Sequence, residues 1–470
     1  MAGRDVDVRG GVAPQEAIER ALAASSTDGC VAIASNTAST NLRWANNTLT
    51  TNGVTETLDL TVVATVNGTD GTRAASVSRN VTSADHVDVL VREAEEAARA
   101  STAADDAAPL LQGASSGDWD AQALEAPVAA LGGIASWLGE IFASARGAGQ
   151  GRFGYAEHSI DTTFVGTSTG LRLRYAQPSV RLELTGRTAD GSRSAWSGQG
   201  AADVAALDLA ALEADVAQRL AWGERKVALE AGRYPTILPP SAVADLMVYL
   251  YWTAGALDAH EGQSVFSRAG GGTRVGEQLT DVPLTLRSDP AMLGQEATPF
   301  VVAGSSSRMA SVFDNGAPVA PTDWIRDGEL AALIQTRHSA SLTGLPFTPW
   351  IDNLEMTAPG GAASVTDLVA STDRGLLLTC LWYIREVDPQ TLLLTGLTRD
   401  GVFLVEGGEV VGAVNNFRFN ESPVAMLKRV IEVGRTDETL AREFGDYFTR
   451  TRMPAVRVAD FNMSTVSQAS

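Results

Sequence analysis

The chain has 470 residues, of which 44% are hydrophobic, enough apolar material for two to four units with buried cores. Its 56 acidic residues outnumber 36 basic ones, which gives a formal net charge of −20. This balance argues against a nucleic-acid-binding protein, which needs a basic surface to displace counterions from phosphates, and against adsorption to anionic membranes.

The cysteines and the N-terminus predict where the protein resides. Cys30 and Cys380 lie far apart in the sequence, which excludes a framework of several disulfides and a four-cysteine zinc site. Residues 1–7 contain no apolar signal region, and no apolar run of about 18 residues indicates a membrane span. We therefore expect a cytoplasmic protein without a membrane partner.

The pattern of residues 1–105 predicts an α/β domain. A helix is expected over 14–25 and a strand over 30–34. Alternating apolar residues within 55–78 predict a β-hairpin. A second helix is expected to begin near Ser83, a residue type that caps helix N-termini. Its apolar residues share one face, away from its three glutamates: Val87, Leu90, Val91, Ala94 and Ala98 against Glu93, Glu95 and Glu96.

The segment 106–232 is predicted to complete the N-terminal half as a mixed unit. Residues 101–127 are rich in Ala, Ser, Asp and Pro and indicate a surface linker. Helical spacing of apolar residues predicts a helix around 134–141, and alternation predicts strands within 152–197. A further helix is expected over 208–222.

The rest of the chain, 233–470, is predicted to form a large β-rich domain. Residues 234–240 indicate a strand that leads into a capped helix beginning at Ser241. After about residue 275, short strands alternate with Gly, Pro and Asp turns until a helix near 422–433. The predicted fold class is therefore α+β, with an N-terminal α/β domain followed by a β-rich C-terminal domain.

His260 and Glu261 begin a zinc-peptidase motif that the chain does not complete. In H-E-x-x-H, two histidines one helical turn apart bind the metal and the glutamate activates water. The second histidine belongs at 264, or at 265 in a wider H-E-x-x-x-H version, where the chain has Ser264 and Val265. The alternative is a solvated helix end, because Gly262 breaks the helix. The other histidines are isolated in the sequence: His86, His158 and His338.

Other motif-like patterns have simpler structural explanations. Gly166–Gly170 matches G-x-S-x-G, but strand-like alternation on both sides favours a β-turn over a nucleophile elbow. Gly270–Gly272 lacks the rest of a phosphate-binding motif and indicates a turning loop beside a cleft. Cys380 follows a run of leucines and is expected to be buried. Charged residues around one strand indicate turns and surface ion pairs, with capture of a substrate terminus as the alternative: Arg385, Asp388 and Arg399.

Several blocks of the second half resemble the TldD/PmbA family. The block at 397–412, Leu-Thr-Arg-Asp-Gly-Val-Phe-Leu-Val-Glu-Gly-Gly-Glu-Val-Val-Gly, resembles it most. The N-terminal hairpin and the Ala- and Glu-rich helix over 83–100 also fit the family's first domain. The other similar blocks are 232–240, 274–279, 288–290, 313–318, 352–354, 375–379 and 416–420.

The resemblance implies cleavage of peptides inside cells by a two-subunit metallopeptidase. The TldD-type subunit carries H-E-x-x-x-H and a later cysteine ligand, whereas the TldE, or PmbA, type shares the fold, lacks the ligands and completes the substrate chamber. Here Val265 replaces the second histidine, and Cys380 does not stand between glycines. The chain therefore resembles the TldE/PmbA type. We expect no catalytic, cofactor-binding or metal-binding residues in it, and zinc in a TldD-like partner.

The expected partners are this TldD-like subunit and an unfolded peptide substrate, and the chain alone could form a homodimer. One alternative is an independent metallopeptidase, or another enzyme acting on amide bonds, whose ligands the sequence does not reveal. The other is a peptide-binding scaffold without a peptidase partner. The loop from Glu261 to Gly276 is the expected chamber wall.

Overall fold

The computed structural model describes residues 12–113, 115–399 and 401–468. Residues 1–7, where no signal region is expected, and Asp400, within the block that resembles the family most, lie outside the described residues. The α-helices are α1 (Pro14–Ala24), α2 (Ala84–Ala100), α3 (Gly132–Gly147), α4 (Leu209–Trp222), α5 (Pro240–Trp252), α6 (Ala256–His260), α7 (Arg337–Thr343), α8 (Val365–Ala370) and α9 (Pro423–Leu427).

Within the described residues, the strands form a six-stranded and a 14-stranded sheet. The first sheet contains β1 (Gly29–Ala45), β2 (Thr48–Gly68), β3 (Gly71–Asn80), β4 (Gln150–Thr167), β5 (Arg172–Thr188) and β6 (Ser194–Ala201). The second sheet contains β7 (Lys226–Val227), β8 (Gly232–Leu238), β9 (Thr285–Ser288), β10 (Thr322–Arg326), β11 (Glu329–Leu330), β12 (Leu354–Thr357), β13 (Arg374–Leu378), β14 (Trp382–Asp388), β15 (Leu393–Leu397), β16 (Val402–Glu406), β17 (Glu409–Val414), β18 (Phe417–Glu421), β19 (Val430–Thr439) and β20 (Thr451–Val466).

The first sheet is antiparallel, in the order β3-β2-β1-β4-β5-β6, and it separates two layers. Successive side chains of a strand point to opposite faces. On one face of β1, Ala32 packs under α1 and α2, and Leu42 packs under α3 and α4. On the other face, Val31 and Ile33 pack against Phe313 from the C-terminal half. Helices α1 to α4 therefore lie on one side, and the second half covers the other.

Strands on both sides of the predicted boundary at 105/106 belong to this one sheet, because β1 pairs with both β2 and β4. The second sheet begins with β7 at Lys226, near the predicted boundary at 232/233. The division into 1–105, 106–232 and 233–470 stays a prediction. The α+β class with a large β-rich C-terminal region is confirmed.

The second sheet is mixed and surrounds the main core. Its main path runs β11-β10-β9-β12-β20-β8-β13-β16-β17-β7. β8 pairs parallel with β13 and antiparallel with the long β20. β8 and β20 therefore lie near the centre of the sheet. Helix α5 lies in this core, with Leu246, Met247 and Tyr251 fully buried. The Tyr251 hydroxyl donates to the Ile351 carbonyl oxygen at 3.1 Å, which satisfies a polar group inside the core.

Helix α2 confirms the predicted apolar face but not the predicted position of Glu95. The sequence places Glu95 away from the buried side, yet it is only 6% exposed. Its carboxylate accepts hydrogen bonds from the Ser26 backbone N–H at 2.5 Å and from the Ser26 hydroxyl at 2.8 Å. Arg99, one helical turn later, pairs with it at 3.0 Å. These bonds offset the desolvation of the charge and anchor the loop between α1 and β1.

Two predicted helix ends are wrong. Helix α5 begins at Pro240 rather than Ser241, and no side chain caps it. Proline suits the first helical turn because its missing N–H would be unpaired there. The helix expected over 422–433 stops at Leu427, and β19 begins at Val430. The β-branched residues that follow pair with β20, and this sheet pairing overrides the local helical spacing.

The segment Val128–Gly147 is long and apolar enough to cross a membrane by length and composition alone, although Glu140 and Arg146 interrupt its apolar residues. In the fold, its helix α3 turns Ile134, Leu138 and Ile141 toward the first sheet. The predicted helix around 134–141 is confirmed, and its apolar face packs into the protein's own core.

Candidate functional site

His260 is the last residue of α6, which has only five residues. Glu261 caps this helix, and Gly262 leaves it with a left-handed φ of 79°, a conformation that glycine adopts without strain. Ser264 and Val265 therefore lie in the loop, both buried, rather than one helical turn beyond His260. The solvated helix end is the interpretation that the structure supports.

The Glu261 carboxylate is held in an ion pair. Arg308 donates to it at 2.5 Å, and the same guanidinium also binds Asp258 in α6. Gln263 adds a hydrogen bond to the same Glu261 oxygen at 3.3 Å. The hydrogen bonds that Arg308 donates to Glu261 and Asp258 raise the pKa of Arg308, so the guanidinium stays charged. Glu261 is thus paired with a cation rather than aimed at a metal-bound water.

The residues of the incomplete motif at His260 do not fit a zinc site. Zinc in catalytic sites takes three protein ligands from His, Cys, Asp or Glu. Across 12–113, 115–399 and 401–468, no three such residues cluster in a way that could hold a metal. Cys380 lies buried beyond the end of β13, as predicted. His158 lies in β4 of the other sheet, where burial lowers its pKa.

A cleft of about 530 Å³ lies beside the loop that follows Glu261. It is bounded by that loop, by the turn between β14 and β15, and by α9. The Gln390 side-chain amide donates to the Gly262 carbonyl oxygen at 2.7 Å and ties the turn to the loop. The lining residues are Val265, Ser267, Arg268, Ala269, Arg274, Glu277, Gln390, Thr391, Ser422, Val424, Ala425 and Lys428.

The cleft is basic on a strongly acidic protein. Arg268 and Arg274 donate through Nε to opposite oxygens of Glu277, at 3.1 and 2.9 Å. These hydrogen bonds, that from Arg274 above all, lower the pKa of Glu277, so the carboxylate stays ionised. Lys428 lines the same cleft from the end of α9 and is exposed. Three cations therefore face one carboxylate.

Gly270–Gly272 form the tip of the loop beside this cleft. All three have left-handed φ values, between 82° and 110°, and a bridge between Ser267 and Thr273 closes the turn behind them. An added Cβ at any of them would meet open space, so backbone conformation alone requires glycine here. The prediction of a tightly turning loop beside a cleft is confirmed.

The other motif-like patterns are structural. Gly166–Gly170 forms the turn between β4 and β5, and the Ser168 hydroxyl accepts a hydrogen bond from the Cys30 backbone N–H at 3.0 Å. Asp388 caps the turn after β14, where it accepts from the Gln390 backbone N–H and from the Thr391 hydroxyl. The exposed Arg385 forms an ion pair at 3.5 Å with Glu443, whose side chain is mostly buried. Turn chemistry and surface pairing thus account for Arg385 and Asp388.

β14 is an open edge of the second sheet. Among the described strands it pairs only with β15, and the ladder carries two register shifts. Tyr383 has a left-handed φ of 51° and is 53% exposed, and Val387 is exposed as well. Such irregularity is typical of edge strands that avoid uncontrolled pairing. The turn that follows β14 lines the basic cleft.

Sequence reasoning singled out the loop but missed its partners in the cleft. Lys428 lies about 150 residues beyond Arg274, and Gln390 lies in a turn of ordinary composition. The one available signal was rarity, because Lys428 and Lys226 are the only lysines in the sequence.

The fold and part of the sequence match known proteins. The model of the PmbA/TldA metallopeptidase C-terminal domain matches residues 231–465. TldE from Thermococcus kodakarensis has a TM-score of 0.74 and 16% identity, covering 95% of this chain and 99% of that chain.

Two further structures, described as candidate modulators of DNA gyrase, are similar in fold. The protein from Bacteroides thetaiotaomicron has a TM-score of 0.73 and 12% identity, covering 96% of this chain and 98% of that chain. The protein from Thermotoga maritima has a TM-score of 0.74 and 15% identity, covering 95% and 99%. No curated relative matches the chain by sequence. Since the domain match spans half of the chain and the fold agrees over nearly all of it, the chain belongs to the PmbA/TldD family.

Proposed function

We propose that this chain is the TldE/PmbA-type subunit of a cytoplasmic two-subunit metallopeptidase that cleaves unfolded peptides. A TldD-like partner supplies zinc, the activated water and the general base. The observation that carries the proposal is that the zinc-peptidase motif beginning at His260 is incomplete in sequence and in structure. His260 ends a five-residue helix, Glu261 is paired with Arg308, and Val265 stands where a second histidine belongs.

In this proposal the chain contributes the wall of the substrate chamber. The loop from Glu261 to Gly276 and the turn after β14 form one continuous surface, joined by the hydrogen bond from Gln390 to Gly262. The open edge of β14 offers backbone groups with which an extended peptide can pair as an added strand. A folded protein cannot present its backbone in this way, which favours short or unfolded substrates.

Alanine at His260 or Glu261 should leave the peptidase activity of the reconstituted pair within about twofold of the parent. The exposed Glu261–Arg308 pair contributes little stability, typically less than about 1 kcal/mol, so the fold survives the change. The measurement is hydrolysis of an unfolded peptide by the pair, with alanine at the first motif histidine of the partner as the matched loss-of-activity control. Loss of activity from the His260→Ala chain would instead support the independent-enzyme alternative.

Native mass spectrometry of the chain purified from its own host tests the assembly. We expect a complex with a second, histidine-bearing family member, and zinc that is lost when that partner is removed. A zinc-loaded species made only of this chain would refute the non-catalytic role. A metal-free homodimer that never recruits a family member would favour the peptide-binding scaffold.

A further inference from the structure

We propose that the basic cleft binds the C-terminal carboxylate of an extended peptide whose last side chain is apolar. The inference rests on the proposed function, because it assigns one end of the peptide substrate to a named place on this subunit. It concerns residues that the zinc motif does not include.

The first argument is charge. Arg268, Arg274 and Lys428 bring three positive charges to the cleft, and Glu277 supplies one negative charge. Arg268 donates to Glu277 through Nε, which leaves its two terminal nitrogens as donors. Among the residues that the structure describes, Lys428 has no ion-pair partner. The chain as a whole has a net charge of −20, so a cleft with a local excess of positive charge favours binding of an anion.

The second argument is the apolar wall. Val265 and Ala269 line the cleft from the loop, and Val424 and Ala425 line it from α9. A free phosphate ion would contact the cations but leave the apolar wall exposed to water. A peptide terminus with an apolar last residue satisfies both parts, since its carboxylate meets the cations and its side chain covers the wall.

The third argument is position. β14 ends at Asp388, and Gln390 and Thr391 of the following turn already line the cleft. A peptide that pairs with the open edge of β14 therefore has one end beside the cations.

The two lysines provide a direct test. The full chain is acetylated with and without an unstructured hexapeptide ending in leucine, made with a free carboxylate or with a C-terminal amide, and mass spectrometry gives the rate at each lysine. The free-acid peptide should slow acetylation of Lys428 and not of Lys226, which lies elsewhere and donates to the Ser192 carbonyl oxygen. Fluorescence anisotropy should show the amide binding at least about tenfold more weakly, because charge-assisted hydrogen bonds are lost.

Variants distinguish binding in this cleft from non-specific electrostatic attraction between the peptide and the protein surface. Lys428→Gln and, independently, Arg268→Gln should bring the affinity for the free acid down toward that for the amide, with the amide unaffected. Lys226→Gln is the matched control and should change neither. Both tested side chains are exposed, so the fold is expected to tolerate their replacement.

The remaining outcomes of these experiments show whether the carboxylate assignment alone or both proposals are wrong. Equal binding of acid and amide, unchanged by Lys428→Gln, would overturn the carboxylate assignment and leave the peptidase-subunit proposal standing. Protection of Lys428 by inorganic phosphate at the same concentration as the peptide would show a general anion site and overturn the assignment to a peptide terminus. Failure of both peptides to bind the chain and its complex with a TldD-like partner would overturn both proposals.

Discussion

Replacing Arg152 by alanine should lower the free energy of unfolding by about 3–5 kcal/mol, because it leaves a partly buried carboxylate without its cation. The Arg152 side chain in β4 is almost fully buried and donates to both oxygens of Glu213 in α4, at 2.6 to 3.2 Å. Its remaining terminal nitrogen donates to Gln150 at 3.0 Å. Urea unfolding followed by circular dichroism measures the change.

Two controls identify the cause of that loss. A double variant, Arg152→Met with Glu213→Leu, should recover most of the stability, because replacing a buried pair with apolar side chains is often neutral. Arg326→Ala, which breaks the more exposed pair with Asp323, should cost less than about 1 kcal/mol. If the double variant is as unstable as Arg152→Ala, the effect lies in packing rather than in the stranded charge.

Asp245→Asn should make the protein more stable at pH 9 than the parent, with little difference at pH 5. Asp245 is fully buried in α5, and one of its oxygens accepts from the backbone N–H groups of Glu443 and Phe444, at 2.8 and 3.3 Å. Its other oxygen is buried without a hydrogen-bond partner. Burial raises the pKa of Asp245 to about 8, although the two N–H groups and Arg442 oppose the rise.

Proton linkage determines the direction in which Asp245 changes the free energy of unfolding with pH. In the unfolded chain an aspartate has a pKa of about 3.9, so between pH 4 and pH 8 unfolding releases a proton that the folded state retains. The contribution of Asp245 is therefore complete below pH 4 and is lost progressively as the pH rises from 4 to 8, to an extent on the order of 5 kcal/mol at most. Asparagine keeps the acceptor oxygen but does not titrate.

The measurement for Asp245 is urea unfolding at pH 5, 7 and 9 for the parent and the variant. The matched control is Asp120→Asn on the exposed surface, which should leave the difference between pH 5 and pH 9 unchanged. Parallel loss of stability with pH in the parent and Asp245→Asn would show that another group carries the pH dependence.

Local periodicity predicted much of the N-terminal half. The apolar stripe Val87, Leu90, Val91, Ala94 and Ala98 is buried as expected, and the hairpin within 55–78 appears as β2 and β3. The helix predicted from Ser241 onward was right in type and wrong by one residue at its start. Such elements are predictable because neighbouring residues alone set the repeat of 3.6 or 2 along the chain.

Two errors have a tertiary origin. The helix expected over 422–433 stops at Leu427 because β20, some twenty residues later, pairs with Val430 and the residues after it. Glu95 was expected away from the buried face of α2, and it is buried because the Ser26 backbone N–H and Arg99 meet it there. Arg99 lies one helical turn from Glu95, but Ser26 comes from the loop before β1, which no helical repeat reveals.

By itself, the sequence determined the α+β class, the incomplete zinc motif at His260 and the membership of the PmbA/TldD family, since these depend on residue identity and local order. Only the tertiary structure decided that Arg308 holds Glu261, and that Arg268, Lys428 and Gln390 share one cleft. The physical reason is separation along the chain. Contacts between residues 40 to 160 positions apart are set by how sheets, turns and helices pack, and no local pattern records them.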